Sequence, residues 1–169
     1  IPKIVGVDLA ARPAESVPFR YITHCPECGA ELVKEPDEAK HYCPNATGCP
    51  PQIVGRIVHY ISRKAMNIEG LGDETVQLLY ENGLLGDMAN LYDLEVDHLV
   101  PLERLGQKSA ENIVRNIAAS VTVPYSRVLF ALGIRYVGET TAKKLAAAVP
   151  SIDALMTASR EELLEVEEV

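Results

Sequence analysis

Gly72, Gly106 and Gly138 sit in one recurring local frame, and that recurrence constrains the fold more than any other feature of the chain. The segments AMNIEGLGDETVQLL, LVPLERLGQKSAENI and ALGIRYVGETTAKKL align on these glycines, which are 34 and 32 residues apart. Four positions before the glycine stand Ile68, Leu102 and Ile134, and one before it stand Leu71, Leu105 and Val137. Seven and six before lie Ala65-Met66, Leu99-Val100 and Ala131-Leu132; three and four after lie Thr75-Val76, Ser109-Ala110 and Thr141-Ala142. The pattern predicts a helix, a tight turn pinned by apolar side chains, and a second helix, three times over. The tail starts the frame again. Leu163-Leu164, Val166 and Val169 precede position 170 by seven, six, four and one residues, so a fourth copy is expected to stop just before its glycine.

The turn carries the chemistry. A helix begins with N–H groups that have no intrahelical acceptor, and a glycine there leaves them open. Such a terminus suits a phosphate oxygen, and the helix dipole adds to the attraction. A contact of this kind reads a phosphate backbone and no base sequence, so it can operate among acidic side chains. Only the first copy has both glycines of a G-h-G turn, Gly70 and Gly72; Arg104 and Tyr136 take the first place in the others. The candidate phosphate contacts are therefore Gly70, Gly72, Gly106 and Gly138, with Lys108, Arg135, Lys143 and Lys144 as nearby cations. A hairpin with a purely structural role is the alternative for each copy. Tyr80, Tyr92 and Tyr125 read as packing residues.

All four cysteines, Cys25, Cys28, Cys43 and Cys49, fall in CPECGAELVKEPDEAKHYCPNATGC. A C-x2-C pair lets two thiolates grip one ion from a tight turn, Gly29 suits that turn, and the second pair can close a tetrahedron. Four thiolates around Zn2+ leave no open coordination position, so the expected role is structural, and the metal would supply much of the local folding energy. Iron also fits a tetrahedral thiolate set, and His24 or His41 could replace one ligand. A redox CPEC pair would need a strand before it and a helix after it, but GAELVKE is short and ends at Pro36. Clustered cysteines suit a reducing compartment better than a disulfide framework.

Ile53, Val54, Ile57, Val58 and Ile61 form an apolar stripe at helical spacing, and Arg56, His59, Arg63 and Lys64 a basic face on the same predicted helix. That face is either solvated or a phosphate contact. The formal net charge of -8 argues against simple electrostatic capture of nucleic acid. Residues 1–66 hold eight Lys/Arg against seven Asp/Glu, whereas residues 67–169 hold eight against seventeen. Phosphate contact in the second part must then rest on geometry. IPKIVGVDL reads as one strand, and the absence of a long apolar run or leader argues against a membrane span or signal peptide.

In this order, the knuckle CPECGAEL…YCPNATGCPPQ, then SRKAMNIEGLG, GLLGDMANLYDL, LGQKSAENI and ALGIRYVGETTAKKLA closely resemble the C-terminal half of bacterial NAD-dependent DNA ligases. The resemblance implies a mainly α chain with a small four-cysteine zinc finger ahead of a helix-hairpin-helix repeat domain. It places the end of an OB fold, with a residual strand, at 1–20, the finger at 21–51, a connecting helix at 52–66 and the hairpins at 67–169, the fourth truncated. It implies the metal ligands Cys25, Cys28, Cys43 and Cys49, and phosphate contacts best at Gly70 and Gly72, next at Gly106 and Gly138, and poorly at Arg104 and Tyr136. The cations Arg56, Arg63, Lys64, Lys108 and Lys143, read from the residues themselves, complete the expected DNA contacts. Enzymes of this family load AMP from NAD+ onto a lysine with Mg2+ or Mn2+, pass it to the 5'-phosphate of a nick and join the 3'-hydroxyl. No Lys-x-Asp-Gly adenylation segment is present, so no catalytic residue is expected here and the segment should be inactive alone. The implied partners are nicked duplex DNA and the adenylation and OB domains of the same chain, in a cytoplasmic, monomeric protein that serves replication and repair. The alternatives are the DNA-holding module of another repair protein and a zinc-stabilised protein-interaction scaffold.

Overall fold

The computed structural model describes residues 5–36 and 38–166. The chain divides into two compact units, residues 1–44 and 45–169. The first has little regular structure. Its described residues contain two isolated antiparallel bridges, His24 with Glu31 and Val33 with Tyr42. The second bridge is a reciprocal pair, with Val33 N donating to Tyr42 O at 2.8 Å and Tyr42 N to Val33 O at 2.7 Å. Residues 1–4 of the expected IPKIVGVDL strand lie outside the described residues, and Val5–Leu9 form no strand. A strand needs a ladder partner to satisfy its N–H and C=O groups, and none of the described residues supplies one here.

The second unit is helical: α1 (Pro50–Ile61), α2 (Asp73–Glu81), a 3₁₀ turn (Ala89–Asp93), α3 (Val96–Leu99), α4 (Gln107–Ser120), α5 (Tyr125–Ala131), α6 (Glu139–Ala148), α7 (Ile152–Thr157) and α8 (Arg160–Leu164). Prolines at the first helical positions, where no N–H is needed, start α1. Gly83 at φ +72° closes α2. That left-handed conformation suits glycine and lets Leu84 N return to Leu79 O at 2.9 Å. In α4, Ala110, Ile113, Ile117 and Ser120 follow helical spacing and are all buried.

The repeat is visible in burial. The residue seven before each glycine (Ala65, Leu99, Ala131) and the residue four after it (Val76, Ala110, Ala142) all have 0% exposure. These positions join the helices that flank each turn: α1 packs on α2, α3 on α4 and α5 on α6. One core runs from Ile57 through Val76, Leu79, Leu91, Leu99 and Ile113 to Ala131; a second gathers Leu129, Ala142 and Leu145 with Tyr125, Leu155, Leu163 and Val166. Val169 of the expected fourth copy lies outside the described residues. The apolar pins are graded, contrary to the uniform expectation: Ile68 and Leu71 are buried, Leu102 and Leu105 half-buried, and Ile134 is 46% exposed.

A chain of hydroxyls links α1, the 3₁₀ turn and α4. Tyr60 Oη lies 2.9 Å from Tyr92 Oη, which lies 3.0 Å from Ser120 Oγ, and Ser120 Oγ donates to Ile117 O at 2.7 Å. Burial, and then the Tyr92 hydroxyl, push the Tyr60 phenol well above its ordinary range. Tyr92, expected to pack, is 40% exposed and ties Tyr60 to Ser120 through its hydroxyl. In Tyr125 the hydroxyl is buried too, and desolvation raises its pKa.

Truncating Leu99 removes a fully buried side chain from the junction of α3 and the first core. Leu99→Ala should cost about 2–5 kcal/mol in urea unfolding, while Val121→Ala, at a 68% exposed site, should stay within about 0.5 kcal/mol.

Candidate phosphate-holding hairpins and metal site

Gly72, Gly106 and Gly138 are the N-cap residues of α2, α4 and α6, with φ/ψ of -106°/174°, -92°/169° and -78°/178°. These extended angles are open to any residue, so backbone strain does not require glycine. A Cβ built at any of the three meets nothing within 4 Å. The empty space before each helix start is therefore open to an outside group. The three carbonyls accept the same first bond, from Val76 N at 2.9 Å, Ala110 N at 3.0 Å and Ala142 N at 2.8 Å. None of the three helices has a side-chain cap.

Three other helices of the same unit, α3, α7 and α8, have capping side chains, and α1 and α5 have none. Ser151 Oγ accepts from Ala154 N at 3.1 Å to open α7. Ser159 and Glu162 form a reciprocal box at α8, with Glu162 N donating to Ser159 Oγ at 3.2 Å and Ser159 N to Glu162 Oε2 at 2.7 Å. Glu95 N donates to His98 Nδ1 at 3.1 Å to start α3. The N-cap glycines of the hairpin helices offer no side-chain acceptor to the first N–H groups.

Two residues before each N-cap glycine, the backbone is left-handed: Gly70 at φ +90°, Arg104 at +66° and Tyr136 at +70°. The turns therefore share one backbone path even where glycine is absent. An L-residue there costs local strain, and sequence reasoning, which ranked these copies lower, missed the common path. A positive φ demanded by the turn would have been the signal.

The predicted basic face does not survive as a face. Ser62 at ψ 158° ends α1 after Ile61, so Arg63 and Lys64 lie in the following turn. His59 faces inward, its Nε2 2.8 Å from Phe130 O and its ring edge-on to Phe130. Arg56 remains exposed, with an Nη 3.4 Å from Ala46 O. Lys64 and Lys143 both reach Glu139, at 3.4 Å and 2.9 Å, in the first turn of α6. Hydrogen bonds from Lys143 and then Lys64 hold the Glu139 carboxyl below its ordinary range. Lys108 is exposed in the first turn of α4, which has no acidic residue, whereas α2 opens with Asp73 and Glu74. The second hairpin thus has the most favourable charge for an anion. Two residues that sequence reasoning did not single out, Asn116 and Arg127, hold carbonyls of the turn before Gly72. Their partners lie 47 to 64 positions away, so no local motif marks them.

The four cysteine sulfurs lie within 4.8 Å of one another, and Cys28 Sγ is 3.5 Å from Cys43 Sγ. None is disulfide-bonded. Tetrahedral zinc with Zn–S near ~2.3 Å places sulfurs about 3.8 Å apart, so the donor set fits that ion. Cys25 and Cys49 are buried, at 8% and 2% exposure. The first knuckle is built by Gly29 N donating to Cys25 O at 2.9 Å and Cys25 N to Ala30 O at 2.8 Å, with Gly29 at φ +71°. No helix directly follows CPEC, since the described residues between it and α1 contain none, whereas the redox alternative needs one there. The four thiolates form the group without a histidine: His24 Nδ1 lies 2.9 Å from Thr23 Oγ1, and the His41 ring stacks on Tyr21.

Residues 24–50 match the NAD-dependent DNA ligase C4 zinc finger domain. Residues 62–118 match a SAM-like helix-hairpin-helix tandem and 127–169 a helix-hairpin-helix motif. The chain is 60% identical to a DNA ligase of Flavobacterium psychrophilum, 59% to one of Christiangramia forsetii and 56% to one of Phocaeicola vulgatus. Each match covers 100% of this chain and 25%, 26% and 25% of the relative, so the chain spans about a quarter of their length. The chain is thus similar to the C4 zinc finger domain of NAD-dependent DNA ligases over residues 24–50, to helix-hairpin-helix segments over 62–118 and 127–169, and along its whole length to about a quarter of each of these proteins named DNA ligase.

Proposed function

We propose that this chain is the non-catalytic, DNA-holding part of an NAD-dependent DNA ligase that seals 5'-phosphate/3'-hydroxyl nicks in duplex DNA. The observation that carries the reading is the set of three glycine N-caps, each with open space where a side chain would stand and no side-chain cap. Phosphate oxygens from the duplex backbone complete those donors, with the helix dipole favouring the anion. Lys108, Arg56 and Arg63 add charge around them, and Lys64 and Lys143 do so once they leave Glu139. Binding by this route is independent of base sequence.

Cys25, Cys28, Cys43 and Cys49 hold one Zn2+ in this reading, and the closed thiolate set gives the metal a structural role. The AMP-transfer chemistry, its NAD+ and its Mg2+ or Mn2+ belong to the whole ligase, whose adenylation and OB domains are partners of this segment. The domain limits 1–20, 21–51, 52–66 and 67–169, a monomeric whole protein and a cytoplasmic location, with roles in replication and repair, are parts of the same proposal. No described helix is long and apolar enough to cross a membrane.

Gly72→Asp separates holding DNA from folding. Aspartate is a good N-cap and fits the extended backbone there, so the unfolding midpoint should hold or rise slightly. Its carboxylate takes the phosphate's place, so affinity for nicked duplex should fall roughly tenfold, the scale of one charge-assisted hydrogen bond. Equal affinity would make the first hairpin structural. In metal analysis, Cys43→Ser should lose most of the zinc; full metal content would remove Cys43 from the site.

Glu139→Gln frees Lys64 and Lys143 and removes a negative charge beside an anion site. Affinity for duplex should rise by up to about fivefold, the scale of one exposed charge contact. Because its folded pKa is lowered, Glu139 stabilises the fold above the unfolded carboxylate pKa of about 4.3. That contribution is lost as pH falls through the lowered folded value. Wild type and the Gln variant should therefore converge in stability only at acid pH.

A further inference from the structure

The turn that leads into α2 is held from outside by the other two hairpins. Arg127 on α5 donates from Nε to Ala65 O at 2.7 Å and from an Nη to Arg63 O at 2.5 Å. Asn116 on α4 donates from Nδ2 to Glu69 O at 2.9 Å. All three carbonyls lie between the end of α1 and the start of α2, where no helix ladder pairs them. The turn's own bonds use other acceptors: Ala65 N and Asn67 N donate to Ser62 O, Met66 N to Tyr60 O and Ile68 N to Ile61 O. Gly70 completes the arrangement. A Cβ there would lie 3.4 Å from Ile113 Cγ1 and 4.0 Å from Asn116 Nδ2, at a backbone φ of +90° that disfavours any side chain.

We propose that Arg127 and Asn116 are positioning residues for the first hairpin, fixing its peptide planes so that the N–H groups after Gly72 aim at one phosphate. The inference rests on the DNA-holding reading above. Arg127 is then no phosphate ligand, because two of its donors are spent on carbonyls of the turn. Planarity explains why arginine stands there: one guanidinium spans two carbonyls two residues apart, which a lysine ammonium on its flexible stem does not reproduce. Asn116 adds an independent hold on the last carbonyl before Gly70. The direction of the first hairpin's donors is thus set by side chains on the helices of the second and third.

The test compares wild type with Arg127→Lys, Arg127→Ala and Asn116→Ala in the 169-residue chain. Three quantities are read: amide hydrogen exchange across residues 63–72 without DNA, the unfolding midpoint, and affinity for a nicked duplex across a salt series. The clamp predicts that Arg127→Lys and Asn116→Ala each speed exchange in that segment about tenfold, which is ~1.4 kcal/mol, with little change in midpoint. Affinity should fall several-fold, and the salt slope should stay the same because no phosphate-bound cation is lost. Unaltered exchange in both variants would overturn the clamp, whatever happens with DNA. Faster exchange with wild-type affinity would overturn the positioning role. Affinity lost in Arg127→Ala, restored by lysine and accompanied by a shallower salt slope would make Arg127 a direct phosphate ligand and overturn the proposal. A wild-type chain that binds no duplex would overturn the DNA reading and the positioning role together, with exchange alone still deciding the clamp.

Discussion

An α-helix begins with N–H groups that its own ladder cannot satisfy, and the helices of the second unit meet that constraint differently. At α7 and α8 a serine supplies the acceptor from within. At α2, α4 and α6 a glycine supplies none and leaves open space where a side chain would stand. The rest of the second unit serves to hold those three starts in place. Buried residues at matched distances on either side of each glycine join the flanking helices, and a left-handed residue two places before each one turns the chain.

This division of labour reconciles an acidic segment with a role in holding DNA. Backbone donors are fixed partial charges that do not depend on side-chain type, so a net charge of -8 does not prevent local contact with phosphate. It does shape which hairpins attract the anion. Asp73 and Glu74 stabilise the start of α2 through the dipole but oppose a phosphate there, while the start of α4 carries Lys108 and no acid. At α6, Glu139 occupies two lysines that would otherwise face outward. The three hairpins share a backbone and differ in electrostatics.

The repeat and the cysteine cluster were both legible in the chain, and for a physical reason: each is set by local spacing. Ala65, Leu99 and Ala131, with Val76, Ala110 and Ala142, fall where the alignment places them because a helix-turn-helix has a fixed geometry around its glycine. Thiolates at C-x2-C spacing converge because the knuckle turn is short. What was not legible depends on tertiary contact. The apolar stripe of α1 was clear, but Ser62 ends the helix early and His59 turns inward toward Phe130, which disperses the expected basic face. The pairing of Lys64 with Glu139, and the hold of Arg127 and Asn116 on the first turn, join residues far apart in the chain. Spacing carries no trace of them.

The most direct test of the central claim is an amide-resolved NMR titration of the chain with a nicked duplex. The account predicts that the largest shifts fall on the N–H groups immediately after Gly72, Gly106 and Gly138, at the same residues for unrelated base sequences, while the serine-capped starts of α7 and α8 stay still. Shifts confined to other surfaces, or shifts that change with base sequence, would contradict it.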